Sequence, residues 1–160
     1  MKPKQFSWMM KTVIIALGVF GAAFYFYFVP VGLQALESIK RFTEKSIFLP
    51  WLIGVILTCI PCYAVLVLAW LMAQSVKNDT QFSHKNSGRL KKIAACALAD
   101  GAFFFLMNIV FLAVGINIPA VALLSLLVLL VAVAFAAVAT VLSGMVEKAA
   151  VLQEENDLTI

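Results

Sequence analysis

The sequence predicts an all-α fold, an integral membrane four-helix bundle with both termini in the cytoplasm. The chain has 160 residues and is 64% apolar, whereas soluble domains are roughly 45 to 50% apolar. Its apolar runs are also long enough to cross a bilayer, which takes about 20 helical residues each. We therefore expect a single membrane domain spanning the whole chain.

Four apolar runs are expected to cross the membrane, at residues 12–33, 48–73, 93–115 and 119–143. The first follows a basic start like that of a signal peptide, but it continues without a boundary and is interpreted as a retained span. The uncharged stretch 101–146 would measure about 69 Å as one helix, more than twice the ~30 Å hydrocarbon core. Gly115, Asn117 and Pro119 therefore predict a tight hairpin between the third and fourth spans.

The basic residues indicate the orientation of the spans. Nine lie at the termini or in the loop 74–92, and three lie between the first two spans. The nine are Lys2, Lys4, Lys11, Lys77, Lys85, Arg89, Lys91, Lys92 and Lys148, and the three are Lys40, Arg41 and Lys45. Cytoplasmic segments carry the excess of Lys and Arg, which predicts cytoplasmic termini. On this frame Tyr25 and Trp51 lie near the outer surface.

Two segments outside the spans have patterns of their own. The stretch "LQALESIKRFTEK" has Leu36, Ile39 and Phe42 at helical spacing, which fits either a short amphipathic surface helix or a solvated connector. The loop 74–92 is polar and basic. Such a loop suits anionic lipid headgroups or an acidic partner, but a basic cytoplasmic loop is also what the membrane orientation alone requires.

Asp100 is the only carboxylate in a long uncharged region, about 12 Å along the helix from Lys92. An ionised carboxylate at the bilayer centre costs about 2.5 to 3.5 kcal/mol, so this side chain should face the bundle interior. Asn108 lies near the same helix face, and Thr58 and Thr140 are candidate partners on the second and fourth spans. Asp100 is either a proton- or ion-responsive group or a structural hydrogen-bonding anchor.

The stretch "TCIPCY" contains Cys59 and Cys62 in a C-x-x-C arrangement around Pro61. A thiol oxidoreductase is conceivable on this spacing, but apolar burial raises thiol pKa values, and only Cys96 remains as a further cysteine. We expect Pro61 to bend the second span instead, freeing the carbonyl of Leu57.

The chain offers little material for catalysis. His84 is the only histidine, which argues against a histidine metal site or a Ser-His-Asp triad. No phosphate-binding glycine motif occurs. We therefore expect no enzymatic activity, no cofactor and no metal.

The loop "QFSHKNSGRLKKIAACAL" and the closing "ENDLTI" resemble the domain-of-unknown-function 2975 family of small four-helix bacterial membrane proteins. The matching residues are Phe82, Ser83, Asn86, Leu90, Lys92 and Ile93 in the loop, and Glu155, Asn156, Asp157, Leu158, Thr159 and Ile160 in the tail. The chain departs from the family pattern at His84 and Lys85, where a more acidic string is usual. The resemblance implies a multi-pass protein of the bacterial cell membrane without an assigned activity. It also implies a helix-turn-helix regulator of the Cro/CI type as a partner, because such regulators are often encoded beside family members.

The composition of the tail 146–160 is suited to binding a protein. Its first part continues the fourth span as a helix, and its acidic end carries Leu158 and Ile160. Such an end can dock on a basic surface, or it can be a frayed, solvated terminus. The sequence thus favours a non-enzymatic membrane sensor or regulatory partner that contacts the lipid bilayer and a cytoplasmic regulator, without binding nucleic acid directly. Four spans can work alone or as a homo-oligomer, and the alternative function is a small proton- or ion-coupled transporter that uses Asp100.

Overall fold

The computed structural model describes residues 3–38, 46–78 and 80–157, and every regular element within these ranges is helical. The elements are α1 (Pro3–Ala23), a π-helical segment (Phe24–Phe28), α2 (Val29–Ser38), α3 (Phe48–Lys77), α4 (His84–Val114) and α5 (Pro119–Asp157). By length and composition, four helices in this part of the chain can cross a membrane, the first being Lys4–Ser38 as one continuous rod. The predicted all-α, four-helix membrane fold is confirmed. The amphipathic pattern at Ile39 and Phe42 lies outside the described residues.

The π-helical segment lies inside the first span and has a cause in the sequence. Pro30 has no backbone N–H to donate to the carbonyl of Phe26, and its ring would clash with that carbonyl in a regular α-helix. A wider turn at Phe24–Phe28 keeps the helix continuous around the proline. Each π turn takes up one extra residue, so the side chains before and after it are out of phase with a regular α-helix.

The helices pack in the order in which they occur in the chain. Helices α1 and α2 pack on α3, α3 packs on α4, and α4 packs along much of α5. Glycine allows two of these approaches: a Cβ added at Gly101 would lie 2.5 Å from the Cβ of Ala132, and one at Gly54 would lie against the sulfur of Met107. Small residues commonly permit such close contact between membrane helices. The bundle is therefore an open row, α1–α3–α4–α5.

Hydrogen bonds fasten α1 to α3 near both ends of α1. The hydroxyl of Ser7 is buried and donates to the carbonyl of Ala73 over 2.6 Å. The hydroxyl of Tyr63 donates to the carbonyl of Gly18 over 2.8 Å. Because water cannot compete for these groups inside a bilayer, such bonds fix the position of α1 along α3.

The hairpin between α4 and α5 turns at Gly115, which has a φ of 82°. The N–H of Gly115 donates to the carbonyl of Leu112, and the N–H of Ile116 donates to the carbonyl of Phe111. This pair of bonds is a Schellman motif, which satisfies the last carbonyls of a helix and favours glycine at the left-handed position. Helix α5 then begins at Pro119, where a missing N–H costs nothing.

At the opposite end the helices extend beyond the apolar runs. The segment 74–92, expected to be a loop, is helical on both sides, and only residues 78–83 lie between α3 and α4. Helix α5 likewise continues through the tail to Asp157. Packing explains the extension, because the hydroxyls of Ser87 and Ser143 are buried against each other, 3.0 Å apart, between α4 and α5. We call the region formed by residues 84–92 and 146–157 the polar end of the α4–α5 hairpin.

Candidate functional site

A cavity of about 900 Å³ lies along one side of the row of helices. Its lining comes from the whole first span, α3, α4 and α5, so that it joins elements that are far apart in the packing order. Most of the lining is aliphatic or aromatic, including Phe24, Phe28, Phe104 and Phe135. The carboxyl group of Asp100 is the one charged group among the described residues of this lining. The cavity is thus an apolar site with a single acid.

Asp100 belongs to a short chain of polar groups that crosses three helices. The thiol of Cys62 donates to Oδ2 of Asp100 over 3.4 Å. The hydroxyl of Tyr25 donates to the sulfur of Cys62 over 3.5 Å and lies 3.0 Å from the hydroxyl oxygen of Thr58. Thr58 in turn donates to the carbonyl of Val55. We call Tyr25, Thr58, Cys62 and Asp100 the polar cluster.

Local helix geometry brings the cluster together. Thr58 and Cys62 are four residues apart on α3, so their side chains project from the same face. Tyr25 lies in the π-helical segment, whose wider turn changes the direction in which side chains leave the first span. Tyr25 is therefore turned inward to the cluster.

One oxygen of Asp100 remains without a hydrogen bond. Oδ1 is enclosed by the protein and has no partner among the described residues, whereas Oδ2 receives only the weak thiol bond. A carboxyl oxygen left unpaired in apolar surroundings is costly, so the group gains from a proton or a cation. The arrangement can therefore bind a proton or a positively charged group.

The other predicted polar residues of the spans lie elsewhere. Thr140 is exposed on α5, and its hydroxyl bonds the carbonyl of Ala136 in its own helix. Asn108 is fully buried, donates to the carbonyl of Phe104, and accepts bonds from the amide of Asn117 at 2.9 and 3.1 Å. Of the four residues Asp100, Thr58, Asn108 and Thr140, the structure thus brings together only Asp100 and Thr58.

The cysteines are free thiols, and none of the three forms a disulfide. Within the described ranges no group of three His, Cys, Asp or Glu side chains could hold a metal ion. Tyr25 and Cys62 were not predicted as site residues. The spacing of Cys62 from Thr58 and the presence of Pro30 shortly after Tyr25 are the sequence signals that point to them.

Asn86, predicted as a partner contact, lies in the first turn of α4, next to the turn from α3. Its side chain is buried, donates to the carbonyls of Thr80 and Gln81, and accepts a 2.7 Å bond from Arg89. Arg89 also donates to the hydroxyl and carbonyl oxygens at the end of α3. These bonds occupy the side-chain amide of Asn86, which is therefore not accessible on the surface.

The remaining predicted partner contacts differ in exposure. Phe82, Lys92, Glu155 and Asn156 are exposed, while Ser83 and Leu90 are half-buried. Asp157 is described as the last residue of α5, and Leu158, Thr159 and Ile160 lie outside the described residues. The surface available for docking is therefore formed by the exposed residues of the polar end together with Phe82.

His84 forms an unpredicted contact at the polar end. Its Nδ1 lies 2.6 Å from Oε1 of Glu147, and its Nε2 lies 3.2 Å from Oε1 of Glu154. Because Glu147 and Glu154 are seven residues apart, they share one face of α5. His84 precedes the apolar stretch of α4, and the Glu147 carboxylate, followed by that of Glu154, raises the pKa of its imidazole above the usual value. The imidazole of His84 therefore links α4 to the start of the tail.

The fold and the cavity define a multi-pass membrane protein with an acid-containing apolar cavity open to one side. Residues 6–160 match the family model described as "Protein of unknown function (DUF2975)", and the chain belongs to that family. The resemblance indicated by the loop and the tail is thus confirmed. No curated protein and no solved structure matches the chain.

Proposed function

We propose that this chain is a non-enzymatic membrane sensor, in which occupancy of the cavity controls the binding of a cytoplasmic protein at the polar end. The observation that carries the proposal is the continuity of α4. One uninterrupted helix holds Asp100 in the wall of the cavity and His84 at the polar end, 16 residues and about 24 Å away. A displacement of α4 at the cavity therefore moves the polar end as well.

Helices α4 and α5 are suited to move together. Gly101 and Ala132 hold their backbones close in the span, and Ser87 and Ser143 bond between them near the polar end. His84 adds two further contacts to α5 beyond these serines. The first span packs on α3 alone in the described part of the chain, so a ligand between the first span and α5 can alter their separation.

The polar end offers a partner both signs of charge. Lys85, Lys91 and Lys92 lie at the start of α4, whereas Glu155 lies near the end of α5, next to Glu154, whose carboxylate already contacts His84. The family resemblance suggests which kind of partner binds there, namely a helix-turn-helix transcriptional regulator of a bacterial cell. In this proposal both termini are cytoplasmic, and the protein acts on DNA only through that regulator.

The test is a pull-down from gentle detergent with three tagged chains, followed by mass spectrometry of the bound proteins. The chains are the full sequence, one ending at Gln153, and the full-length variant Glu154→Gln as the matched control. Glu154→Gln weakens the contact with His84 but keeps the tail. We expect the full chain and the control to retain a DNA-binding protein and the shortened chain to lose it. Equal capture by all three chains, or no specific protein with any of them, contradicts the proposal.

A second function has an observation in its favour, namely the unpaired Oδ1 of Asp100 in the wall of the cavity. A transporter that couples movement of its substrate to a proton needs such an acid. On this alternative, Asp100→Asn abolishes proton-coupled flux into vesicles, whereas Thr140→Val, changed on an exposed face of α5, leaves the flux unchanged. Flux that survives Asp100→Asn rules this alternative out.

A further inference from the structure

The shape and lining of the cavity restrict what can occupy it. Its volume of about 900 Å³ lies within the roughly 300 to 1,000 Å³ of sites that hold one drug-sized molecule. Apolar side chains form most of the wall, and several aromatic rings contribute to it, namely Phe24, Phe28, Trp51, Phe104 and Phe135. An occupant must therefore have a largely apolar body.

The polar groups of the cavity are gathered in one place. Tyr25, Thr58, Cys62 and Asp100 form the polar cluster, and Tyr63, the other hydroxyl of the lining, is bonded to the carbonyl of Gly18. Among the described residues of the lining there is no Lys, Arg or His to balance Asp100. The cavity therefore holds one uncompensated acid in an apolar wall, which is complementary to a single positive charge.

The hydrogen-bonding state of Asp100 points to the same kind of occupant. Oδ1 has no partner, and Oδ2 has only a thiol donor. The terminal torsion of an aspartate side chain is broad, so the carboxylate can turn either oxygen toward the cavity at little cost. A protonated amine supplies the missing donors, and aromatic rings in the same lining can also attract a positive charge.

The position of the cavity indicates how an occupant enters. Its walls include both ends of the helix row, Leu17 and Gly21 on α1 and Val131 and Phe135 on α5. Within the described ranges no close backbone contact joins α1 to α5. The side of the cavity between them faces the hydrocarbon region, from which a molecule dissolved in the bilayer can enter.

We infer that the cavity binds a lipophilic organic ammonium ion, with its charged nitrogen on Asp100 and its apolar body among the aromatic side chains. This inference rests on the proposed function, because it names the ligand class of the cavity through which the sensor acts. No bond is made or broken in this binding. A lipid acyl chain, the competing occupant, would use the apolar wall without using Asp100.

The test compares two fluorescent probes that differ in charge. Dansylcadaverine carries a primary ammonium group at neutral pH, and its N-acetyl derivative is neutral. Energy transfer from tryptophan to the dansyl group reports binding, and the background Trp8→Phe with Trp70→Phe leaves Trp51, in the cavity wall, as the only donor. The full chain is placed in lipid nanodiscs, and empty nanodiscs give the probe signal that is due to lipid alone.

We expect saturable binding of the ammonium probe and at least about tenfold weaker binding of the acetylated probe, since a hydrogen-bonded charge is lost. Asp100→Asn should weaken binding of the ammonium probe by a similar factor and leave the acetylated probe unchanged. Thr140→Val is the matched control and should change neither affinity. The two probes are compared on a chain that retains Asp100, so this part of the test needs no substitution at the binding site.

Two results overturn the inference. Equal affinities of the two probes would identify the cavity as an acyl-chain groove, and an unchanged ammonium affinity in Asp100→Asn would place the charge elsewhere. These results are independent of the pull-down, which measures capture of a regulator and not occupancy of the cavity. If the full chain captures no specific regulator but binds the ammonium probe as expected, the proposed function alone is refuted.

Discussion

Replacing Gly101 by alanine should separate α4 from α5 in the middle of the membrane. The added Cβ would lie 2.5 Å from the Cβ of Ala132, whereas carbon atoms in contact are about 3.5 to 4.0 Å apart. It would also lie 3.6 Å from the Cα of Leu129, which leaves little room to move sideways. The Cβ of Ala132 is attached directly to the backbone and the Cα of Leu129 belongs to it, so the helices themselves must shift by about 1 Å or more.

The expected cost can be isolated with a matched substitution. Overpacking of this kind typically costs about 1 to 3 kcal/mol, while alanine gains about 0.8 to 1 kcal/mol over glycine inside a helix. Gly88 lies on the same helix, and a Cβ added there meets no atom within 4 Å. Gly88→Ala should therefore gain the same helix propensity without a steric clash. We therefore expect Gly101→Ala to be less stable than Gly88→Ala by about 1 to 3 kcal/mol.

The assay is reversible unfolding in micelles of a mild detergent mixed with increasing SDS, followed by far-UV circular dichroism. A double-mutant cycle with Ala132→Gly strengthens it, because removing the opposing Cβ should restore most of the lost stability. If Gly101→Ala and Gly88→Ala unfold at the same SDS fraction, or if Ala132→Gly gives no rescue, the close packing of α4 on α5 is refuted.

Three further predictions concern other contacts. Glu147→Gln should lower the pKa of His84, which NMR titration of the only imidazole measures. Because the pKa of His84 is raised in the folded protein, its contact with Glu147 contributes its full stabilisation below about pH 6.5. That stabilisation is lost as the pH rises through the folded-state pKa. An unchanged titration would disprove the contact. Ser7→Ala should cost about 0.6 to 2 kcal/mol in SDS unfolding, through loss of a buried 2.6 Å bond to α3. Thr12→Ala, whose exposed hydroxyl bonds only its own helix, should cost less, and equal costs would contradict this assignment. Asn86→Ala should destabilise the protein by about 1 to 3 kcal/mol and speed tryptic cleavage at the turn between α3 and α4, because a guanidinium loses its 2.7 Å acceptor. Unaltered cleavage would argue against this anchoring role.

The features that the sequence could predict are those fixed by local chemistry. Apolar length requires four spans, Gly115 and Pro119 have backbone properties that suit a turn, and the cost of a charge in lipid draws Asp100 toward the protein interior. Each of these follows from one residue or one run, without knowledge of its neighbours.

The remaining features depend on the rotational orientation of each helix, that is, on which of its faces is directed toward its neighbours. A span that is apolar all round has no polar face to reveal its orientation, so Thr58 and Thr140 are equivalent in sequence although only Thr58 faces the cluster. Tyr25 depends on the π-helical segment, which shifts the phase of the first span by one residue. The helical polar end is likewise stabilised by contacts between distant segments, such as Ser87 with Ser143, which no local pattern indicates.

The row order of the helices also bears on how the protein is made. Each membrane helix after the first packs on the helix synthesised just before it, so no segment must wait in the bilayer for a partner from the far end of the chain. The hairpin α4–α5 is joined by a short uncharged turn and can enter the membrane as a pair. Assembly can therefore follow synthesis from the first helix to the last, and loss of α5 should leave the earlier helices able to insert and pack.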